Sequence, residues 1–86
     1  MENDWKDISG GPFASSKNRI TKLRKLNNAQ LTGSSSKGFI HIWDIPFGFL
    51  IHSFRASSLS ITSMEILEDG RIVTGACDRT IKVWSL

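Results

Sequence analysis

Cysteine, proline and long apolar runs are scarce in this sequence. It holds one cysteine and two prolines, and its longest apolar run is Phe49-Leu50-Ile51. The lone Cys77 excludes an intrachain disulfide and, without a secretory context, is typical of a reducing compartment. A membrane helix needs roughly 20 apolar residues, and the acidic start of the chain lacks the basic and apolar regions of a signal peptide. We therefore expect an intracellular protein, in the cytoplasm or nucleus, without a membrane segment.

Composition and charge place the chain among small folded domains. Of its 86 residues, 40% are hydrophobic and 22% are charged, which is typical of one globular domain rather than of a disordered chain. The formal charge of +3 and the pI of about 9.4 argue against an acidic, solvating role and are compatible with an acidic partner.

A repeat of 41 residues runs through most of the chain. A shift of 41 places Trp43 on Trp84, and it also aligns Phe13 with Phe54, Ser16 with Ser57, Ile20 with Ile61, Leu23 with Met64, Leu26 with Leu67 and Ile40 with Ile81. The pair Thr32-Gly33 needs a shift of 42 to meet Thr74-Gly75, which we interpret as a one-residue deletion and a compensating insertion in turns. A fixed period of this length indicates a repeat architecture.

Within each unit, short strands alternate with turns. In the second unit, strands are predicted over residues 61–67, 71–75 and 80–84, with a turn at Glu68-Asp69-Gly70 and another at Cys77-Asp78-Arg79. The first unit repeats this order, with a turn over residues 34–38, and a strand over residues 47–54 follows it. A short amphipathic helix over residues 19–27 is the alternative, because Ile20, Leu23 and Leu26 are spaced by three. The β-branched residues of the aligned segment that starts at Ile61 favour a strand.

The order of these pieces resembles the WD-repeat family of β-propellers, whose units of roughly 40 residues fold into four strands and end a strand with a Trp-Asp pair. The likeness covers residues 13–86 and rests on Trp43-Asp44, on residues 74–78 and on Ile81-Lys82-Val83-Trp84. It implies an all-β fold of two adjacent four-stranded antiparallel propeller blades, the second lacking its outer strand, in an open arrangement rather than a closed ring. The predicted divisions are a poorly ordered extension over residues 1–12, a first repeat over 13–45 and a second over 46–86.

The resemblance also implies a buried hydrogen-bond chain in each blade. A buried indole N–H needs an acceptor, and in this family it finds a hydroxyl on the adjacent strand. By position, Trp84 is expected to pair with Thr74, and Asp78 to brace the turn between their strands. Trp43 and Thr32 are expected to form the corresponding pair in the first blade.

The sequence departs from the family pattern at several of these positions. The usual histidine before the first strand falls on Ser16 and Ser57, so the hydrogen-bond chain is expected to be shortened in both units. In the first unit Ser36-Lys37 occupy the turn where the second unit has its aspartate, and Lys25 takes a position that is usually apolar. We therefore expect the first blade to be the less stable one.

Residues that could support catalysis or metal binding are dispersed. His41, His52 and Cys77 lack the spacing of a metal site. The sequence has no Gly-x-Ser-x-Gly elbow and no glycine-rich phosphate loop, and Asp69 and Asp78 are explained as turn residues. We therefore expect no metal, no cofactor and no enzymatic activity.

The leading functional hypothesis is a non-catalytic scaffold that binds protein partners. In propellers of this family, one rim carries the loops before the first strand and between the second and third strands. Here those loops hold residues that would suit an acidic or phosphorylated peptide, namely Lys17, Asn18, Arg19, Lys37, Arg55 and Arg79.

The basic run over residues 17–25 permits a different interpretation. With five basic residues in nine, it could hold the phosphates of RNA. We favour a solvated strand edge, where Lys and Arg discourage pairing with other strands, because no aromatic residue that could stack on bases lies within the run. Nucleic acid is therefore not the expected partner.

Two blades cannot close a ring. A four-stranded sheet presents a face of about 320 Å², so two outer faces would expose about 600 Å², the upper limit of the patch that a monomer usually shows. Three outcomes are open: a fragment of a longer propeller, a protomer completed by other blades or by copies of itself, or a weakly folded product. We favour the fragment, because the chain stops in the middle of a repeat.

Overall fold

The fold was analysed in a computed structural model, which describes residues 19–86. Within this range the chain forms two antiparallel sheets, and no helix occurs there. The first sheet, in spatial order, holds β1 (Ile20–Asn27), β2 (Gln30–Ser35), β3 (Phe39–Asp44) and β4 (Phe49–Arg55). The second holds β5 (Ile61–Ile66), β6 (Ile72–Ala76) and β7 (Ile81–Trp84). The all-β prediction, with one four-stranded and one three-stranded sheet and no closed ring, is confirmed. The predicted extension over residues 1–12, and Lys17 and Asn18, lie outside the described residues.

The segment for which a helix was the alternative is the strand β1. It pairs with β2 from Ile20 opposite Ser35 to Asn27 opposite Gln30, with a register shift near each end of the strand. The side chain of Asn27 closes the hairpin, since its Oδ1 accepts a hydrogen bond from the backbone N of Ala29 at 2.8 Å, a local turn that competes with helix formation. The helical alternative is therefore wrong.

The two sheets keep a constant offset of 41 residues in their pairing. Trp43 lies opposite Leu31, and Trp84 lies opposite the equivalent Ile72. The turns that follow β2 and β6 have the same offset, because Gly38 and Arg79 are also 41 residues apart and both have positive φ, 88° and 69°. The deletion and insertion that the sequence alignment required are therefore absent. The predicted turn over residues 34–38 is also corrected, since β2 continues to Ser35.

The sheets pack face to face around one apolar core. Its fully buried members come from both sheets and from the segment that joins them: Ile40, Ile42, Ala56, Ile61, Met64 and Ile72. At the edge of this core the rings of Phe54 and Trp84 lie with centroids 4.9 Å apart. The hydroxyl of Thr21 crosses between the sheets and donates to the backbone O of Ile61 at 3.0 Å. The alternating apolar residues of β3 and β6 thus meet in a single junction.

The two outer faces differ from the expected pair of open surfaces. On the far side of the first sheet, Gly33, His41 and Trp43 are buried. The centre of this face is therefore not exposed, and the expectation for it is wrong. On the far side of the second sheet, Ile81 is 80% exposed and Val83 is 54% exposed. Of these two surfaces, the second has an exposed apolar centre; we name it the open face and define it by Ile81 and Val83.

Candidate interaction surface

One end of the two sheets collects most of the predicted partner-binding residues. Because successive strands are antiparallel, the residue before β1 and the loops 36–38, 56–60 and 77–80 lie at the same end. We name this end the basic rim. It carries four exposed cationic side chains among the described residues, those of Arg19, Lys37, Arg55 and Arg79. The only carboxylate in these loops is that of Asp78.

The opposite rim, made of loops 28–29, 45–48 and 67–71, carries the reverse charge. Glu68 and Asp69 lie in its last loop, and Asp44 ends β3 at the same rim. The one cation in these loops, Arg71, is paired, because its Nε lies 2.7 Å from Asp69 Oδ2. The backbone and side chain of Arg71 together hold the pKa of the Asp69 carboxyl below its ordinary value. The basic residues of one rim were predicted from the resemblance, but the acidic character of the opposite rim was not.

Gly38 fixes two loops of the basic rim against each other. Its backbone O accepts hydrogen bonds from the backbone N of Ala56 at 2.7 Å and of Ser57 at 3.0 Å. The approach is so close that a Cβ on Gly38 would lie 2.0 Å from the Ser57 backbone O and 2.7 Å from that of Leu59. The positive φ of Gly38 adds a second reason for glycine at this position.

Asp78 organises the turn between β6 and β7. Its carboxylate accepts hydrogen bonds from the backbone N of Thr80 at 3.0 Å and from the Thr80 hydroxyl. The hydroxyl of Ser57, from the segment between the sheets, donates to its other oxygen at 2.7 Å. The hydroxyls of Thr80 and Ser57, in that order, hold the pKa of the Asp78 carboxyl below its ordinary value. Ser57, at the position where the family usually has histidine, therefore contacts Asp78 directly.

In the second sheet, the indole of Trp84 bonds to the residue that the resemblance indicates. Its Nε1 donates to Thr74 Oγ1 at 3.1 Å, and Thr74 is buried. No hydrogen bond among the described residues links Thr74 to Ser57 or Asp78, so the chain is divided into two parts.

The corresponding pair in the first sheet does not form. Trp43 is buried, and its Nε1 has no hydrogen-bond partner in the described part of the chain, while the hydroxyl of Thr32 donates to the backbone O of His41 at 3.1 Å. By register, Gly33 and not Thr32 is equivalent to Thr74. Adjacent residues of a strand point to opposite faces, so Thr32 lies on the wrong face for Trp43. A Cβ on Gly33 would lie only 2.7 Å from Trp43 Cζ3.

A shallow groove at the junction of the sheets is lined by residues that the sequence did not predict to lie together. It is lined by Arg55, Ala56, Ser57, Ser58 and Lys82. Of these, only Arg55 was predicted to contact a partner. Lys82 is placed here because its Nζ reaches across the junction to the backbone O of Ala56, 2.9 Å away. The alternation of Ile81, Lys82 and Val83 does signal that Lys82 shares a face with Trp84, but not that this face meets the first sheet.

Within residues 19–86, no group of three or more His, Cys, Asp and Glu side chains lies close enough to hold a metal ion. In the same range there is no helix with the length and apolar character needed to cross a membrane.

Comparison with known proteins agrees with the geometry. Residues 48–85 match the family of WD domains, G-beta repeats (WD40). Protein tipD of Dictyostelium discoideum is 26% identical over 86 residues, and the aligned region is 95% of this chain and 14% of tipD.

Solved structures show the same arrangement of strands. The β-propeller domain of Cps50 (Swd1) from Myceliophteria thermophila has a TM-score of 0.77 at 23% identity, over 90% of this chain and 26% of that one. The computationally designed Ika8 protein has a TM-score of 0.68 at 30% identity, over 78% of this chain and 20% of that one.

The chain spans between 14% and 26% of the length of these three proteins. The match at residues 48–85 covers β5, β6 and β7 together with β4 of the first sheet. Residues 48–85 therefore match a WD40 repeat, and the two sheets have the fold of adjacent β-propeller blades.

Proposed function

We propose that this chain is a non-catalytic, intracellular interaction module that presents its basic rim to an acidic or phosphorylated segment of a protein partner. The observation that carries the proposal is the separation of charge. Four exposed cations accompany one carboxylate on the basic rim, whereas the opposite rim is acidic and its Arg71 is already paired. An anionic peptide is attracted to the first rim and repelled by the second.

The fixed geometry of the basic rim supports a binding role. The turn at Gly38 is bonded to the segment between the sheets, and the same segment is bonded through Ser57 to Asp78 in the next turn. Three loops are thereby held together before any partner arrives. Such preorganisation reduces the entropy that is lost on binding.

The experiment is a binding assay with two immobilised acidic peptides of the same sequence, one of them phosphorylated on serine. The double variant Arg55→Glu, Arg79→Glu reverses two charges of the basic rim and is expected to lose at least about tenfold in affinity at low salt. The matched control is Arg71→Glu on the opposite rim, which is expected to leave capture unchanged. Equal capture by the wild-type chain and the double variant would contradict the assignment of the basic rim.

A second candidate function, RNA binding through β1, has one observation in its favour. Lys22, Arg24 and Lys25 are all exposed on this strand. Against it, the Arg24 guanidinium lies 3.7 Å from the carboxylate of Glu65, which reduces the free charge. Affinity for single-stranded RNA would fall steeply between low and physiological salt if phosphates were bound, and absence of binding at low salt eliminates this candidate.

A further inference from the structure

We propose that the junction groove formed by Arg55, Ala56, Ser57, Ser58 and Lys82 is an anion subsite that takes the phosphate group of a phosphorylated serine or threonine in the partner. This inference rests on the proposed function and assigns the anion to one place on the basic rim. It adds Lys82, which lies on a strand rather than in a rim loop, to the residues that bind the partner.

The two cations of the groove are fixed in position by backbone carbonyls. Arg55 Nε donates to the backbone O of Ser57 at 3.0 Å and Arg55 Nη2 to that of Ser58 at 3.4 Å. Lys82 Nζ donates to the backbone O of Ala56 at 2.9 Å. Three consecutive carbonyls thus hold one guanidinium and one ammonium along the same short segment.

Both cations keep donors for a ligand. A guanidinium has five N–H donors and an ammonium three. The described bonds use two of the arginine donors and one of the lysine donors, so most of the donors of both groups remain available to the oxygens of a bound anion.

Neither cation of the groove forms an ion pair within the described residues. Arg55 and Lys82 take part in neither of the ion pairs of residues 19–86, which join Arg24 to Glu65 and Arg71 to Asp69. Asp78 is the nearby carboxylate, but its oxygens accept from the hydroxyls of Ser57 and Thr80. Its charge lowers the net potential of the groove without forming an ion pair with either cation.

Aromatic rings further restrict both cations. The guanidinium carbon of Arg55 lies 5.4 Å from the centroid of the Phe39 ring, and Lys82 Nζ lies 5.9 Å from that of Trp84. These distances are within the range of cation–π attraction. The groove therefore presents a planar fork and a point charge at defined positions, an arrangement that matches a phosphate better than a single carboxylate, because phosphate has three acceptor oxygens and a charge of about −1.5 to −2.

The test uses the 86-residue chain, with the phosphorylated and unphosphorylated forms of one acidic peptide as probes. Lys82→Gln and Arg55→Gln are each expected to weaken binding of the phosphorylated peptide about tenfold or more, the effect of losing a charge-assisted contact. Binding of the unphosphorylated peptide is expected to change much less. Lys82→Arg keeps the charge and restores binding, which separates loss of contact from loss of fold. Arg79→Gln, on the basic rim outside the groove, is expected to weaken binding of both peptides to the same, smaller extent.

The outcomes distinguish the inference from the proposed function. If Arg79→Gln weakens the phosphorylated peptide as much as Lys82→Gln does, or if Lys82→Gln has no effect, the groove assignment is overturned while the basic rim remains the binding surface. If the wild-type chain binds neither peptide, the proposed function is wrong. In that case, titration with inorganic phosphate tests the groove separately. Changes in the amide NMR shifts of Ser57 and Ser58 that Lys82→Gln abolishes would support a phosphate site. The absence of such changes would overturn it.

Discussion

At the scale of single residues, Gly38 is the position where the backbone leaves least room. Any other residue meets a positive φ and the carbonyls of Ser57 and Leu59. Gly38→Ala is expected to lower the free energy of unfolding by about 3 kcal/mol or more, the sum of a left-handed backbone and a steric overlap. Gly70→Ala is the matched control, because Gly70 has the same φ of 88° but nothing within 4 Å of its Cβ position.

Urea unfolding of the two variants separates the causes. Gly70→Ala is expected to lose only about 1 kcal/mol, from the backbone alone. Equal losses in both variants would contradict a steric overlap between a Cβ at position 38 and the carbonyls of Ser57 and Leu59.

The bond between Thr74 and Trp84 leads to a second prediction for single residues. Thr74→Val keeps the shape of the side chain but removes the acceptor at 3.1 Å from the indole N–H. The expected loss is about 1 kcal/mol, because the partly buried N–H is left without its partner. Thr62→Val is the control, since the Thr62 hydroxyl also forms a hydrogen bond, 3.2 Å long to the backbone O of Gly75, but at an exposed site. Thermal or urea unfolding measures both, and a loss in Thr62→Val as large as in Thr74→Val would contradict a special role for the buried bond.

The failure of the Thr32 prediction has a simple physical cause. A Thr-Gly pair occurs in both units, and sequence matching aligns like with like. Side chains alternate across a strand, so a slip by one residue exchanges the two faces. In the structure, equivalent positions of the two sheets share the same face, and the two Thr-Gly pairs are therefore not equivalent. Gly33 lies against Trp43, and Thr32 forms its hydrogen bond with the backbone of His41. The sequence suggests which type of residue could bond to the indole. Which residue faces the indole depends on the strand register, and the register is set by pairing along the whole strand.

At the scale of elements, β3 carries a row of rings on the face away from the second sheet. The ring of His41 lies 6.1 Å from that of Phe39 and 5.5 Å from that of Trp43, centroid to centroid. Its Nδ1 lies 2.8 Å from the hydroxyl of Ser53 on β4. Burial lowers the pKa of His41 below its ordinary value of about 6.5.

This depressed pKa predicts a pH dependence of stability. Below about pH 6.5 the unfolded chain binds a proton at this histidine more readily than the folded chain does. The free energy of unfolding is therefore expected to decrease as the pH falls from about 6.5 towards the folded pKa. His41→Gln should flatten this part of the profile, as measured by urea unfolding between pH 7.5 and about 5.

The matched control for that experiment is His52→Gln, which removes an exposed histidine from the neighbouring strand. It should retain the decrease shown by the wild-type chain. A wild-type profile without any decrease below pH 6.5, or one that His41→Gln leaves unchanged, would contradict the assignment to His41.

The strands themselves were largely predictable. Gly70, which has positive φ, ends a turn where the sequence indicated one, and the three predicted strands of the second unit agree with β5, β6 and β7 to within one or two residues. The groove was not predictable, because it requires that Lys82 and Arg55, from different sheets, meet at one segment. Contacts of that kind depend on how the sheets pack and are not encoded in the period of either strand.

At the scale of the whole molecule, the repeat explains why the open face exists. Ile81 and Val83 follow Ile40 and Ile42 by 41 residues, and the earlier pair lies in the core that the second sheet covers. The same apolar pattern therefore recurs on the open face, where the described residues provide no cover. Full burial of such side chains contributes roughly 1.5–3 kcal/mol each, which favours association with another apolar sheet face.

We expect this surface to cause concentration-dependent self-association of the isolated chain. Two copies that meet at their open faces would bury four of these side chains, a gain of about 6–12 kcal/mol. The loss of translational and rotational freedom on association is of similar size, about 4–15 kcal/mol, so the association is expected to be weak. Sedimentation velocity should therefore show a mass that rises with concentration.

The double variant Ile81→Lys, Val83→Thr is expected to remain monomeric, with a stability within about 0.5 kcal/mol of the wild-type chain, because both positions are exposed. Ile45→Lys, at a position 46% exposed on the opposite rim, is the matched control and should associate like the wild type. A wild-type chain that stays monomeric at all concentrations, or an Ile45→Lys variant that loses association equally, would show that the open face does not attract another sheet.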